Sequence, residues 1–493
     1  MGGDSANNRR PQAALVLLGC VVAGAFPHWL SPLARVLPGL TLGALLAGHV
    51  GRVIFFRPDS AVAGPLRSPT PGDRASTAAA VASEAVASAP AITTAAVAAP
   101  SPAVDVVVAA RDEEAVIGSL VERVLRLRWP ADQLRLWVVD DGSEDRTPQR
   151  LAELQSRHPQ LRVLRRARDC GGGKSGALNA VLEQLGGRWL LVLDADADLP
   201  PDLLERVIPF AELGGWGAVQ LRKAEANAAH NWLTRAQAME MAFDAFIQEA
   251  RLARGGVTEL RGNGQLLRLD AVQTVGGFNE ATITDDLDLS FRFLLAGLPI
   301  GVLWDPPVSE EAVTTLPALW RQRQRWAEGG LQRFLDYGNQ LLSSRLNGSQ
   351  RWDLGSFFIL QYLLPMMVVA DLFAAALTKT LPGMWPFPLI MLTLSGFSLT
   401  AGCRRGGEGP PLPPPTPGNV LLTVAYLMHW FVVIPWVMLK MALLPKTLVW
   451  QKTMHAGADA GVASPMPPYP DFTITGPGQA LDLDDDIVVS TEG

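Results

Sequence analysis

Trp189-Leu190-Leu191-Val192-Leu193 is a short unbroken apolar run that stops on Asp194-Ala195-Asp196-Ala197-Asp198. Such a run, too short for a helix and closed by acids, reads as a buried strand. The pattern repeats upstream. Residues 104–109 are rich in β-branched side chains, 134–139 lead into Asp140-Asp141-Gly142, and 161–164 form a further run. Between them the apolar spacing turns helical. Residues 113–127 carry Val116, Leu120, Val124 and Leu127 on one stripe, 146–155 form a second helix, and 174–185 align Ala177, Leu178, Val181 and Leu185. Strands alternating with helices at this pace build βαβ units, hence an α/β fold with a mostly parallel sheet. Ligands of such sheets bind beyond the carboxyl ends of the strands, where Asp140, Asp141 and Asp194 fall.

The 493 residues include 42 Lys+Arg against 48 Asp+Glu, a formal charge of −6. With 48% hydrophobic and 18% charged residues the chain is too apolar to be wholly soluble and too charged for a plain bundle of membrane spans. No basic excess supports a nucleic-acid partner. Cys20, Cys170 and Cys403 are too few and too scattered for a disulfide framework or a four-ligand zinc site, which fits a reducing compartment.

Apolar stretches at 13–29 and 36–56 predict a transmembrane hairpin within residues 1–56. A cleaved signal peptide is the competing reading of the first stretch, but a second apolar run follows at once. An Ala/Ser/Thr/Pro-rich linker occupies 57–102, the α/β domain 103–312, and an amphipathic interface helix 313–345. The C-terminal membrane region, 346–455, carries spans at 354–377, 385–401 and 420–444, the last able to bend at Pro435. An acidic, Pro/Gly-rich tail at 456–493 is expected to be disordered. Arg9 and Arg10, then Arg52, Arg57 and Arg67, then Arg404 and Arg405 predict that these clusters and the α/β domain face the cytoplasm of a multi-pass cell-membrane protein. Five spans would put Lys446 and Lys452 on the other side, so either one segment is re-entrant or the count differs.

Asp194-x-Asp196 past a strand offers hard oxygen ligands for Mg²⁺ or Mn²⁺ on a diphosphate, or else a solvated acidic loop. Asp140-Asp141-Gly142 is either a turn or a grip on a nucleotide. Gly171-Gly172-Gly173-Lys174 lacks the glycine spacing of a P-loop, yet glycines before a helix and a lysine suit an anion. Thr284-Asp285-Asp286 opens a helix with Thr284 as N-cap; its acids either satisfy the helix dipole or supply a general base. Gln322-Arg323-Gln324-Arg325-Trp326 lies on a helix from Leu316 towards Tyr337 and suits a polar base edge, a phosphate and a sugar face, or simply the membrane interface.

In order, Asp140-Asp141-Gly142, Asp194-x-Asp196, Thr284-Asp285-Asp286 and Gln322-x-x-Arg325-Trp326 resemble the membrane-integrated family 2 glycosyltransferases. That group includes cellulose, hyaluronan and chitin synthases and bacterial glucosyl-diacylglycerol synthases. The resemblance covers residues 104–337 and the flanking spans. It implies a GT-A domain and inverting transfer from a UDP-sugar in one displacement. On this resemblance Asp140 and Asp141 face the uridine, Asp194 and Lys174 contact the nucleotide, and Asp196 holds Mg²⁺ or Mn²⁺. Asp286 is the base beside Asp285, Gln322 and Arg325 clamp uracil and diphosphate, and Trp326 stacks on the acceptor. The stretch Arg261-Gly262-Asn263-Gly264 is similar to the family's acceptor-facing segment, which implicates Gly262 and Asn263.

Two positions depart from the family pattern. Asp112 stands in Arg111-Asp112-Glu113-Glu114 where the family usually has Asn, which leaves its nucleotide contact open. Asp285 replaces a frequent Glu. The segment Lys446-Thr447 through Trp450-Gln451-Lys452-Thr453-Met454-His455 looks like that of the diacylglycerol glucosyltransferases. The expected reaction is therefore transfer of one sugar, glucose, to a lipid acceptor, diacylglycerol. The alternatives are a processive polysaccharide synthase and a membrane scaffold with a degenerate domain, for which Asp371, His429 and Lys440 would mark a polar pathway. A soluble transferase is disfavoured by the span at 354–377.

Overall fold

The computed structural model describes residues 9–54, 101–341, 343–384 and 386–444. Most of the expected linker, the tail, and the segment from Lys446 to His455 lie outside these residues, as do Arg57 and Arg67.

Seven strands form one sheet in the order β3-β2-β1-β4-β6-β5-β7. They are β1 (Val104–Ala110), β2 (Leu134–Asp141), β3 (Leu161–Arg166), β4 (Trp189–Leu193), β5 (Ala218–Glu225), β6 (Gln265–Arg268) and β7 (Ile300–Glu310). Only β6 runs against its neighbours, pairing antiparallel with β4 and β5. The sheet is therefore mostly parallel, as the alternation predicts. Period-two alternation divides the apolar side chains between its faces. Val106, Val108, Leu136 and Leu191 pack on one core, Val107, Val139, Leu190 and Val192 on the other. That double burial is why these strands read as continuous apolar runs.

β2 and β3 each run two residues further than their apolar runs. Asp140 and Asp141 lie inside β2, opposite Arg165 and Arg166 of β3. Arg166 Nη1 is 2.7 Å from Asp141 and Arg165 Nε 3.3 Å from Asp140. Cross-strand charge pairing lets the ladder continue where the apolar residues stop. The first helix starts late, at Ile117–Leu125, because Glu113–Val116 make a turn.

Helices at Arg9–Trp29, Gly348–Thr378, Phe387–Arg405 and Pro417–Leu443 are each long and apolar enough to cross a membrane, and a shorter apolar stretch lies at Pro32–Gly48. The last of these is not one rod. Pro417–Leu427 ends, Met428 and His429 turn, and Trp430–Leu443 continues, so the break comes before Pro435 and not at it. Arginines hold the chain on both sides of it. Ahead of Pro417, Glu408 accepts from Arg206 at 2.6 Å and its carbonyl from Arg222 at 2.8 Å. At the far end Leu443 O accepts from Arg10 at 2.7 Å, next to the Arg9–Asp336 pair at 2.5 Å. The fifth expected span is thus two helices joined by a turn at Met428 and His429.

Asp371, 1% exposed, accepts from His28 at 2.8 Å and from the backbone of Gly383 at 2.8 Å and Met384 at 3.1 Å. Its hydrogen bonds are consumed in joining helices, as expected of a residue facing the bundle interior and not of a conducting path.

Candidate active site

Asp194 follows β4 directly, and Lys174 opens the helix Gly173–Leu182. Gly172 reaches that helix with φ +72°, and a Cβ there would strike the Glu280 carboxylate and, at 2.9 Å, the Gly176 backbone. The turn delivers Lys174 Nζ 2.5 Å from Asp194 Oδ1 and 3.2 Å from Gly262 O. Burial works against the lysine's charge, but Asp194 and then Asp285 more than offset it, and its pKa is raised.

Asp285 and Asp286 begin the helix Asp285–Leu295. Thr284 occupies the N-cap position but makes no capping hydrogen bond. Its side chain is turned instead towards Gly329, where a Cβ would collide with the hydroxyl. Burial, and after it the Asp285 carboxylate, pushes Asp286 up to about 6, and burial raises Asp285 as well. Gly262, at φ +86°, leaves space beside this acid: an added Cβ would sit 3.4 Å from Asp286 Oδ2.

Asn263 is buried behind this wall. Its Oδ1 accepts from Asp194 N at 3.1 Å and its Nδ2 donates to Glu310 Oε2 at 3.1 Å, so it orients acids and does not face the cavity. Asp196 Oδ2 accepts from Glu311 N at 3.1 Å. Lys223 Nζ lies 2.6 Å from Glu310 Oε1. Glu225, next to that pair, is raised well above the usual carboxylate range by burial and then by Glu310. Nothing in the sequence pattern singles out Lys223, Glu225 or Glu310, because β5 mixes Gln220, Arg222 and Lys223 with its apolar residues.

The helix Leu316–Leu341 roofs these groups. Gln322, Arg325 and Trp326 face the cavity. Burial lowers the Arg325 pKa, with Asp194 opposing. Arg323, which the motif leaves unassigned, is 1% exposed and donates to Glu240 at 2.6 Å and to Tyr426 Oη at 2.7 Å. Tyr426 Oη and Trp430 Nε1 also donate to Glu240, at 2.7 and 3.2 Å. The turn at Met428 and His429 therefore grips the roof helix through one buried glutamate.

A single cavity of about 600 Å³ joins Lys174, Asp194, Asp196, Gly262, Asp285, Asp286, Gln322, Arg325 and Trp326. It continues between apolar helices, past Leu46, Leu360, Pro365, Met391, Leu394 and Phe431. Asp112, Asp140 and Asp141 stand outside its lining. Asp112 holds φ +56°, a left-handed conformation that Asp and Asn tolerate, and accepts from Glu144 N at 2.7 Å while its own N donates to Ser143 at 2.8 Å. It latches β1 to the Asp140–Ser143 loop. Burial raises Asp141 while Arg166 and Arg111 oppose.

Among the described residues no group of three or more His, Cys, Asp or Glu side chains is arranged to hold a metal alone. Asp196 on the cavity wall still fits the habit of Mg²⁺, which takes one or two carboxylates and completes its shell with water and substrate phosphates.

A mostly parallel sheet with an acid-x-acid at the end of a central strand, under a roof helix carrying Gln322, Arg325 and Trp326, defines a GT-A glycosyltransferase. Residues 100–329 match the family model described as glycosyltransferase like family 2, and the chain belongs to that family. It is 45% identical over 364 residues to a beta-monoglucosyldiacylglycerol synthase of Synechocystis sp., covering 73% of this chain and 76% of that one. A protein of the same name from Trichormus variabilis is 44% identical over 361 residues, covering 72% and 77%. Among solved structures, the mannosyltransferase PcManGT from Pyrobaculum calidifontis, in complex with GDP-Man and Mn²⁺, superimposes with a TM-score of 0.50 at 18% identity, over 87% of this chain and 99% of that one. That likeness supports the fold.

Proposed function

We propose that the protein transfers one glucosyl unit from UDP-glucose, with inversion, to the free hydroxyl of 1,2-diacylglycerol, giving beta-monoglucosyldiacylglycerol. The observation that carries this reading is the continuity of the cavity. Its acidic end, at Asp194, Asp196 and Asp286, suits a charged nucleotide sugar, and its other end, at Leu46, Met391, Leu394 and Phe431, suits acyl chains. The similarity to two diacylglycerol glucosyltransferases supports the same acceptor.

In this reading the acceptor oxygen attacks the anomeric carbon as Asp286 takes its proton, and the bond to the β-phosphate oxygen breaks with its electron pair leaving on UDP. A carboxyl held near pH 6 is poised for that task. Lys174 and Arg325 face the departing diphosphate, and Trp326 covers the reacting centre. A Mg²⁺ or Mn²⁺ ion on Asp196 would neutralise charge on the leaving group. Asp140 and Asp141 sit at the neighbouring strand end, where the uridine would lie. The positive clusters at Arg9–Arg10 and Arg404–Arg405 support a cytoplasmic position for the sheet domain, and with it the reaction.

A processive synthase is less well supported, because the similarity over most of the chain is to proteins named for a one-sugar lipid product. The intact acids argue against a scaffold. Full-length protein incubated with UDP-glucose, Mg²⁺ and diacylglycerol should yield a one-sugar lipid in the organic extract. A high-mass glycan, or no UDP release, would overturn the reading.

A further inference from the structure

The rim of the sheet orders three groups of charged residues along one line. Asp140 and Asp141 end β2, Asp194 and Asp196 follow β4, and Lys223, Glu225 and Glu310 end β5 and β7, in a sheet ordered β2-β1-β4-β6-β5-β7. With the uridine at the first station and the diphosphate at the second, as proposed above, the third is where the donor's sugar ring falls.

The third station has the chemistry for a sugar. Glu225 and Glu310 are in register, and alternation puts Lys223 on the same face as Glu225. Lys223 and Glu310 pair at 2.6 Å with side chains only 11% and 12% exposed, yet both reach the cavity wall. A buried pair gains little stability over apolar packing, so its position on a ligand wall calls for another reason. Glu310 connects through Asn263 to the Asp194 backbone, and Lys223 Nζ lies 5.4 Å from the Trp326 ring centroid. Gln322 Oε1, buried and without a hydrogen-bond partner among the described residues, lines the same cavity. A hexose shows hydroxyls at its edge, each a donor and an acceptor, and C–H groups on its faces. An ammonium, a carboxylate and an amide oxygen beside an indole answer both.

We propose that Lys223 and Glu310 form the subsite that reads the hydroxyls of the donor's sugar ring, and thereby select which hexose is transferred. This rests on the UDP-sugar reading of the site and deepens it. The pair is a ready-made donor and acceptor, held at the strand ends by two parallel β-strands and therefore able to test the orientation of individual hydroxyls. A sugar whose hydroxyl points the wrong way would leave one of two buried charges short of a partner.

The test is equilibrium binding to full-length protein in lipid-containing micelles with Mg²⁺ and no acceptor. Wild type, Glu310→Gln and Lys223→Met are each titrated with UDP, UDP-glucose and UDP-galactose. Loss of one hydrogen bond to a charged group should weaken UDP-glucose by about tenfold in either variant while UDP changes by less than about twofold. The preference between the two UDP-hexoses should shrink alongside. Equal weakening of UDP and UDP-glucose, or an unchanged UDP-glucose affinity, would make the pair a structural strut and overturn the proposal. If Lys223→Met does not fold, the near-isosteric Glu310→Gln decides. Because no acceptor is present, a wrong assignment of the lipid would leave this result untouched.

Discussion

The Arg323 guanidinium lies 4.0 Å from the centroid of the Trp326 ring, on the side chain that covers the cavity, and it also donates to Glu240 and Tyr426. The turn at Met428 and His429 is thus linked to the roof of the candidate site through one arginine.

Tyr426→Phe removes two hydrogen bonds from this cluster, one accepted from Arg323 and one donated to Glu240, and leaves its packing. We expect a stability loss of about 2 kcal/mol, read as a lower Tm. The lipid KM should rise by about threefold to tenfold with UDP affinity unchanged, since the uridine end of the site is remote from this turn. A fall in UDP affinity would break the proposed link.

Asp286→Asn should lower kcat by about 10²- to 10⁴-fold in an assay of glucosyl lipid while UDP-glucose still binds. Undiminished turnover would remove Asp286 from the role of base.

The acid limb of the pH profile should follow the same carboxyl. Its pKa is raised to about 6, first by burial and then by Asp285, and only the ionised form accepts a proton. Activity should therefore fall as pH drops below about 6 and level off above it. Asp285→Asn removes the second cause and should move that limb to lower pH. A limb that stays in place would point to another group.

Chelation by EDTA should abolish turnover, and Mg²⁺ or Mn²⁺ should restore it. Asp196→Asn should raise the Mg²⁺ concentration for half-maximal activity by about tenfold or more, because a single carboxylate is the protein's share of the shell. Full activity in EDTA would exclude this role for Asp196.

The central strands and their acids were legible because burial on both faces writes an apolar run, and the ligand rim writes the acids that end it. Leu316–Leu341 was legible from its apolar spacing. β7 hides because Pro306 and Pro307 interrupt it, and β6 because it is four residues long and runs against the sheet. Lys223 and Glu310 meet only when β5 and β7 pair, which no local pattern records. Glu240 left one signal: an acid between Met239 and Met241 in a helix rich in Ala and Met. Asp140 and Asp141 read as following a strand and are its last two residues, since the arginines that extend it belong to β3. The break at Met428 and His429 was hidden because hydropathy counts apolar residues and cannot see a turn.

The helix after that turn brings the chain back beside the first described helix, with Arg10 bonded to the carbonyl of Leu443. A reporter fused ahead of Arg9 and another fused behind Leu443 would therefore sample one compartment, and a protease reaching one fusion in sealed vesicles would reach both.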